Sequence, residues 1–245
     1  MLILKSALFD KYENVVFGFS TKIGLDREAP YYFNMSQSVG DEKHIVNENR
    51  DAFFRSLGIE ANHVVFQKQI HSDIVKIVEE PGNAGECDAM ITSKPGLSLA
   101  VSSADCTAVF IYDSQNNVIA GVHSGWRGTD KKILSRTLNL LSENFNSKPE
   151  NLFAYISPAA RQENYEVGQE VADLFDIKYL HMNNGKIYLD VPGANLDLLI
   201  KFGIPEKNIE ASGLCSVANH QFLHSYRRDG QSSGRAFGVI SIKEN

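Results

Sequence analysis

The stretch Ala104–Thr129, ADCTAVFIYDSQNNVIAGVHSGWRGT, constrains this chain more than any other. Two apolar, β-rich runs, CTAVFIY and VIAGVH, flank the turn-forming DSQNN, the order expected of an antiparallel hairpin with a five-residue loop. A pairing of Tyr112 with about Val118 places Cys106 opposite His123 or its neighbour, at the open end of the hairpin. Side chains opposed in this way share a face and lie roughly 5 Å apart at Cβ. A thiol and an imidazole at that distance can share a metal or a proton.

Around the hairpin the chain predicts several strands in close succession. They are Val15–Ser20, His63–Gln67, Ile70–Val78, the segments DAMITS and LSLAVSS, Asn151–Ile156 and the C-terminal AFGVISI. Gly82–Glu86 reads as a turn cluster. Asp41 is placed to cap a helix over HIVNENRDAFFRSL, which Gly58 stops and which carries Arg50. Asp130–Phe145 is the clearest helix, with one apolar stripe of Ile133, Leu134, Leu138, Leu141 and Phe145. Shorter helices are expected over Gln169–Phe175 and over Gly193–Phe202 after Asp190–Pro192. So many strands near one another predict an α/β (α+β) fold with mixed, largely antiparallel sheets, in one domain over residues 1–245. GWRG would then precede the N-terminus of the long helix, where free backbone N–H groups and Arg127 suit an anion.

Composition narrows the function classes. A net charge of −6 argues against a nucleic-acid footprint, which is usually basic. No apolar run approaches the roughly 20 residues that span a bilayer. The three cysteines, Cys87, Cys106 and Cys215, are too few and odd in number for a disulfide framework, so a cytoplasmic protein is expected.

His71, Cys106 and His123 are the candidate ligands, each at an expected strand end. Three protein ligands with an open fourth position suit a catalytic zinc, and Cys-His-His has the right softness. No CxxC or HExxH spacing accompanies them. Cys106 and His123 without metal would instead be a nucleophile and its base, as in a cysteine hydrolase. Cys106 alone would be a small buried hydrophobe. His220 and His224, four apart, would share a face if helical.

The strings QIHSDIV, SSADCTAVF, AGVHSGWRGT, YEVG, HSYRRDG with the later SGR, and FNMSQSVGDEKHIVNENR together resemble the YfiH-like laccase-domain family. Its members have been called polyphenol oxidases and purine nucleoside phosphorylases. The resemblance implies a layered domain of four-layer α-β-β-α type and zinc held by His71, Cys106 and His123. It further implies phosphorolysis of adenosine, inosine, guanosine and methylthioadenosine to base and ribose 1-phosphate, with an adenosine deaminase side activity. Arg50, Arg127, Arg228 and Arg235 match recurring family arginines and are assigned to phosphate or substrate. The expected partners are nucleosides and phosphate, and the expected state is a monomer or homodimer. Two departures bear on substrate preference: Ser157-Pro158 stands where Gly-Pro is frequent, and Leu223-His224 where two aromatics are.

A copper-dependent polyphenol oxidase is the alternative, because His₂Cys also suits Cu²⁺. Beyond the triad, however, only His44, His63, His181, His220 and His224 remain, with no His-x-His pair. A full multicopper centre therefore cannot be assembled from one chain. The second alternative is the cysteine hydrolase using Cys106 and His123, and a non-enzymatic zinc- or thiol-binding module is a fourth reading.

Overall fold

The structure, a computed structural model, describes residues 1–244. Its strands form two six-stranded sheets and a small third one. The first sheet runs β1 (Ile3–Leu4), β2 (Val15–Ser20), β15 (Ala236–Ile242), β7 (Ser98–Ser103), β3 (Val64–Lys68) and β5 (Gly82–Glu86). Its β7–β3–β5 portion is parallel and the rest antiparallel. The second runs β14 (Ile209–Ala211), β10 (Leu152–Ile156), β8 (Thr107–Asp113), β9 (Val118–Ser124), β6 (Ala89–Thr92) and β4 (Val75–Ile77). Here only the outermost pairs are parallel. An antiparallel trio, β11 (Glu166–Val167), β13 (Lys186–Leu189) and β12 (Leu180–Asn183), forms the third sheet.

The two large sheets face each other across a core that includes Phe17, Leu99, Val101, Phe110, Ile119 and Ile240. Outside the first sheet lies α1 (Lys43–Ser56), whose Phe53 and Phe54 join Ala100, Phe237 and Val239. Outside the second lie α3 (Ile133–Phe145) and α5 (Val191–Phe202), which bury Leu134, Leu138 and Leu199 against Ile91, Val109 and Ile111. The order is α-β-β-α, as expected. It explains why β8 and β9 are apolar without alternation: every residue of both is buried, because both faces of their sheet are covered. Among the described residues no helix is long and apolar enough to cross a membrane.

The hairpin is present, one residue out of the expected register. Tyr112 faces Ile119, Ala108 faces His123, and the ladder ends at Thr107 opposite Ser124. Asp113 stays in the strand because its carboxylate accepts the Gln115 and Asn116 N–H groups, which shortens the loop to Ser114–Asn117. Cys106 therefore lies just past the ladder rather than opposite His123.

Other local expectations also give way. Gly82–Glu86 pairs with β3 and is a strand, not a turn cluster. Only Val75–Ile77 of the expected Ile70–Val78 strand pairs; the residues before it form a loop held by side-chain hydrogen bonds. Asp41 precedes the cap position, which Glu42 takes. The helix expected from Asp130 is two helices, α2 (Trp126–Asp130) and α3, separated by Lys132 in the left-handed region at φ 64°. GWRG is thus the start of a five-residue helix, and the long helix begins at Ile133. Buried Thr129 accounts for the turn, since it bonds the Ser124 carbonyl and receives the Asn195 amide from α5. The helix expected over Gln169–Phe175 shortens to α4 (Gln169–Ala172).

Candidate active site

Three elements bring the predicted ligands together. His71 stands in the loop between β3 and β4, Cys106 on the turn between β7 and β8, and His123 near the end of β9. Cys106 Sγ lies 4.0 Å from His71 Nε2, and the two imidazole rings meet edge to face at 4.9 Å. The ligand atoms of all three lie within 4.8 Å of one another. A tetrahedral zinc separates such atoms by roughly 3.3–3.8 Å, so small side-chain adjustments close the set around an ion. Among the described residues this is the one group of three or more His, Cys, Asp or Glu residues so arranged. His71 is exposed, Cys106 half-buried and His123 buried, so the cluster opens to one side.

Local backbone makes the approach possible. Asp105 adopts φ 89° and His71 φ 58°, both unusual for residues with a Cβ. Asp105 is held by its carboxylate, which accepts Ser216 Oγ at 2.6 Å and the Arg227 N–H at 2.6 Å, while its carbonyl accepts the Ala160 N–H. A Cβ at Gly125 would stand 2.8 Å from Cys106 Sγ, so only glycine fits beside the thiol.

Asp88 stands at the head of β6, in the strand-like run DAMITS. It is fully buried and accepts hydrogen bonds from the Ile70, His71 and Ser72 N–H groups, from Ser72 Oγ, and from His123 Nδ1 at 2.8 Å. Burial alone would raise its pKa, but the bonds from His123 and Ser72 outweigh this and bring it to about 2. Its one sequence signal is an acidic residue beside four buried strand positions.

Charge in the cluster is coupled. Burial raises the Cys106 thiol, but the His123 charge and hydrogen bonds from both histidines prevail and lower it to about 6. Burial lowers His123, and the Cys106 and Asp88 charges more than compensate, so its imidazole is raised. Without metal, the coupling between the two groups favours the thiolate form of Cys106. A thiolate is also the form that binds metal.

The three residues of the cluster line a cavity of about 870 Å³, within the size range of small-molecule sites. Arg50 and Arg235 line this cavity; Arg127 and Arg228 do not. Arg50 lies over Phe66 and Phe237, 4.8 and 5.0 Å from the ring centres, with Nε donating to the Met35 carbonyl. Arg235 donates to the Ser233 and Gly234 carbonyls and stacks on Tyr226. Neither pairs with a carboxylate among the described residues. Arg127 is exposed and stacks on Trp126. Arg228 donates to the Ser216, Val217 and Leu223 carbonyls and to Asp229, which ties the loop before α6 (Tyr226–Asp229).

His220 and His224 lie outside helices, the first exposed and the second buried with Nε2 against the Phe33 carbonyl. Burial, with Lys22 and Arg235 nearby, depresses His224 to about 3, against the pull of Phe33 and Asp229. The unfolded chain takes up this proton near pH 6.5 and the native state does not. His224 therefore withdraws stability as pH falls from 6.5 towards 3, by about 1.4 kcal/mol per unit. Between pH 7 and 4.5, chemical denaturation of His224→Gln should lose about 2–3 kcal/mol less than the wild type. Equal losses would mean that His224 protonates freely in the native state.

Comparison with known proteins adds to this geometry. The family model described as multi-copper polyphenol oxidoreductase laccase matches residues 16–243. A purine nucleoside phosphorylase of Deinococcus radiodurans is 33% identical over 228 residues, covering 91% of this chain and 88% of its own. Adenosine deaminase RL5, from an unknown prokaryotic organism, is 30% identical over 263 residues, covering 99% of this chain and 100% of its own. The solved structure of the Bacillus licheniformis protein YfiH matches with a TM-score of 0.92 at 28% identity, covering 98% of this chain and 96% of that one.

Proposed function

This chain belongs to the YfiH-like, laccase-domain family, and on that premise we propose that it is a zinc-dependent purine nucleoside phosphorylase with adenosine deaminase side activity. The observation that carries the choice is the pair Arg50 and Arg235, cations without carboxylate partners on the same cavity as His71, Cys106 and His123. Both are half-buried, a guanidinium so placed without a counter-ion carries a desolvation cost, and a phosphate dianion is a ligand that offsets it. Arg50 feels this cost: burial lowers its pKa to about 10, which still leaves it charged at neutral pH.

In the proposed reaction a phosphate oxygen forms a bond to ribose C1′ as the bond from C1′ to the purine nitrogen breaks. The base leaves with the bonding pair and takes up the proton that the incoming hydrogen phosphate gives up, and ribose 1-phosphate remains as the dianion. Arg50 and Arg235 hold the phosphate and fix its direction of approach. Asp88 keeps the proton on His123 Nδ1, leaving Nε2 for the metal. Zinc at the triad would supply Lewis acidity and a water of lowered pKa, the chemistry that deamination requires. The shared core between the large sheets supports treating residues 1–245 as one domain, and the three free thiols agree with a cytoplasmic setting.

Copper in the same three ligands remains the second reading, favoured by the family description itself. The remaining histidines do not supply a second copper cluster: His44, His181 and His220 are exposed, His63 is half-buried, and His224 is buried elsewhere. The deciding experiment incubates adenosine with the zinc-loaded and the copper-loaded protein, with and without phosphate. Adenine and ribose 1-phosphate should appear only with phosphate, and inosine in either case. Arg50→Met should raise KM for phosphate by roughly 10–100-fold, the value of a charge-assisted contact, with KM for adenosine little changed. Phenol oxidation without any adenosine turnover would refute the phosphorylase assignment.

A further inference from the structure

We propose that Asp88 is the positioning residue for both histidines of the triad: one carboxylate sets the backbone turn that presents His71 and the ring state that makes His123 a ligand.

Its two oxygens divide the work. Oδ2 accepts the Ile70 N–H, the Ser72 N–H and Ser72 Oγ, at 3.2, 2.6 and 2.7 Å. Oδ1 accepts the His71 N–H at 3.1 Å and faces His123 Nδ1 at 2.8 Å. Three successive backbone N–H groups thus converge on one carboxylate, a nest that suits an anion. His71 sits at the centre of that nest with φ 58°, a conformation that persists in a non-glycine residue only where its surroundings impose it. The nest imposes it, and Gln69 adds a second tie by pairing its amide with the Ser102 backbone in both directions. The Asp88 carbonyl also receives the His123 N–H at 2.7 Å, so backbone and side chain of one residue grip His123 twice.

The ring state follows from donor rules. A carboxylate only accepts, so Nδ1 of His123 must carry the hydrogen, which leaves Nε2 as the lone-pair donor. Such a partner is what a metal-binding histidine needs on its other nitrogen. An amide cannot do the same. In Asp88→Asn the oxygen belongs where three donors converge, which turns the NH₂ group towards His123 Nδ1. The ring then accepts at Nδ1, carries its hydrogen on Nε2, and ceases to be a ligand.

The affinity readout rests on the zinc assignment made above; a second readout does not. Zinc affinity, from competition with a chelator of known strength, should fall by roughly 10–100-fold in Asp88→Asn, as for other partners of metal-bound histidines. In ¹⁵N-labelled wild type, with or without zinc, His123 should show a solvent-protected Nδ1–H resonance, and the variant should lack it. A wild type without that resonance overturns the proposal, and this holds even if the variant fails to fold. So does a folded variant that keeps the resonance and binds zinc within twofold of the wild type. If the wild type takes up no zinc, the metal assignment falls and the resonance alone decides Asp88.

Discussion

Cys106→Ala is expected to lower adenosine phosphorolysis by roughly a thousandfold or more, about 4 kcal/mol of transition-state stabilisation. Its Sγ, 4.0 Å from His71 Nε2, is the soft member of the candidate ligand set, and without it two imidazoles remain. Metal content should fall with activity, which separates this role from that of a metal-free nucleophile, whose loss leaves bound metal unchanged. Thermal unfolding of the metal-free protein should shift little, because the thiol is half-buried and lies outside the main apolar cores. A variant that keeps full zinc and activity within tenfold of the wild type would remove Cys106 from the site.

The largest effect on stability should come from the contact between the sheets. Phe110 is fully buried between them, with Phe17 at 5.1 Å in a T-shaped arrangement. Its ring rests on Gly238 of the opposing sheet, where a Cβ would stand 2.2 Å from Cζ. Phe110→Ala should cost about 3–5 kcal/mol by opening a cavity. Gly238→Ala should cost about 1–3 kcal/mol by overpacking. The double variant should be less destabilised than the two losses together, since the added methyl enters the space the ring vacates. Urea unfolding of the four proteins at fixed metal content measures this coupling. Additive losses would show that the ring and the glycine do not oppose each other across the sheets.

These two cases differ in how far they could be read from residues. Long apolar runs without alternation marked β8 and β9, and the stripe from Ile133 to Leu141 marked a helix, because burial pattern is written locally. The register differs by one residue from that expected because Asp113 can serve equally as loop residue or as strand end. Its carboxylate decided the matter by capping the following turn. Gly82–Glu86 departs from the expected turn for a similar reason. A glycine-rich edge strand has no periodic signal of its own and is defined by the partner it pairs with. The helix start at Trp126 was hidden because the break at Lys132 depends on Thr129, Ser124 and Asn195, which meet only in the folded protein.

The triad was assembled from residue type and family resemblance, and its three members do converge in the structure. The arginines divided only in three dimensions. Arg50, Arg127, Arg228 and Arg235 share one chemistry, yet two line the cavity and two lie elsewhere. What this sequence determined by itself was therefore the inventory: the donor atoms, the apolar runs that demand a doubly covered sheet, and the family. The tertiary structure decided which polar groups were left without partners and which were consumed. Burial and pairing depend on every element packed around a group: Asp88 accepts five bonds from two distant stretches of chain, and Arg50 meets no carboxylate among the described residues.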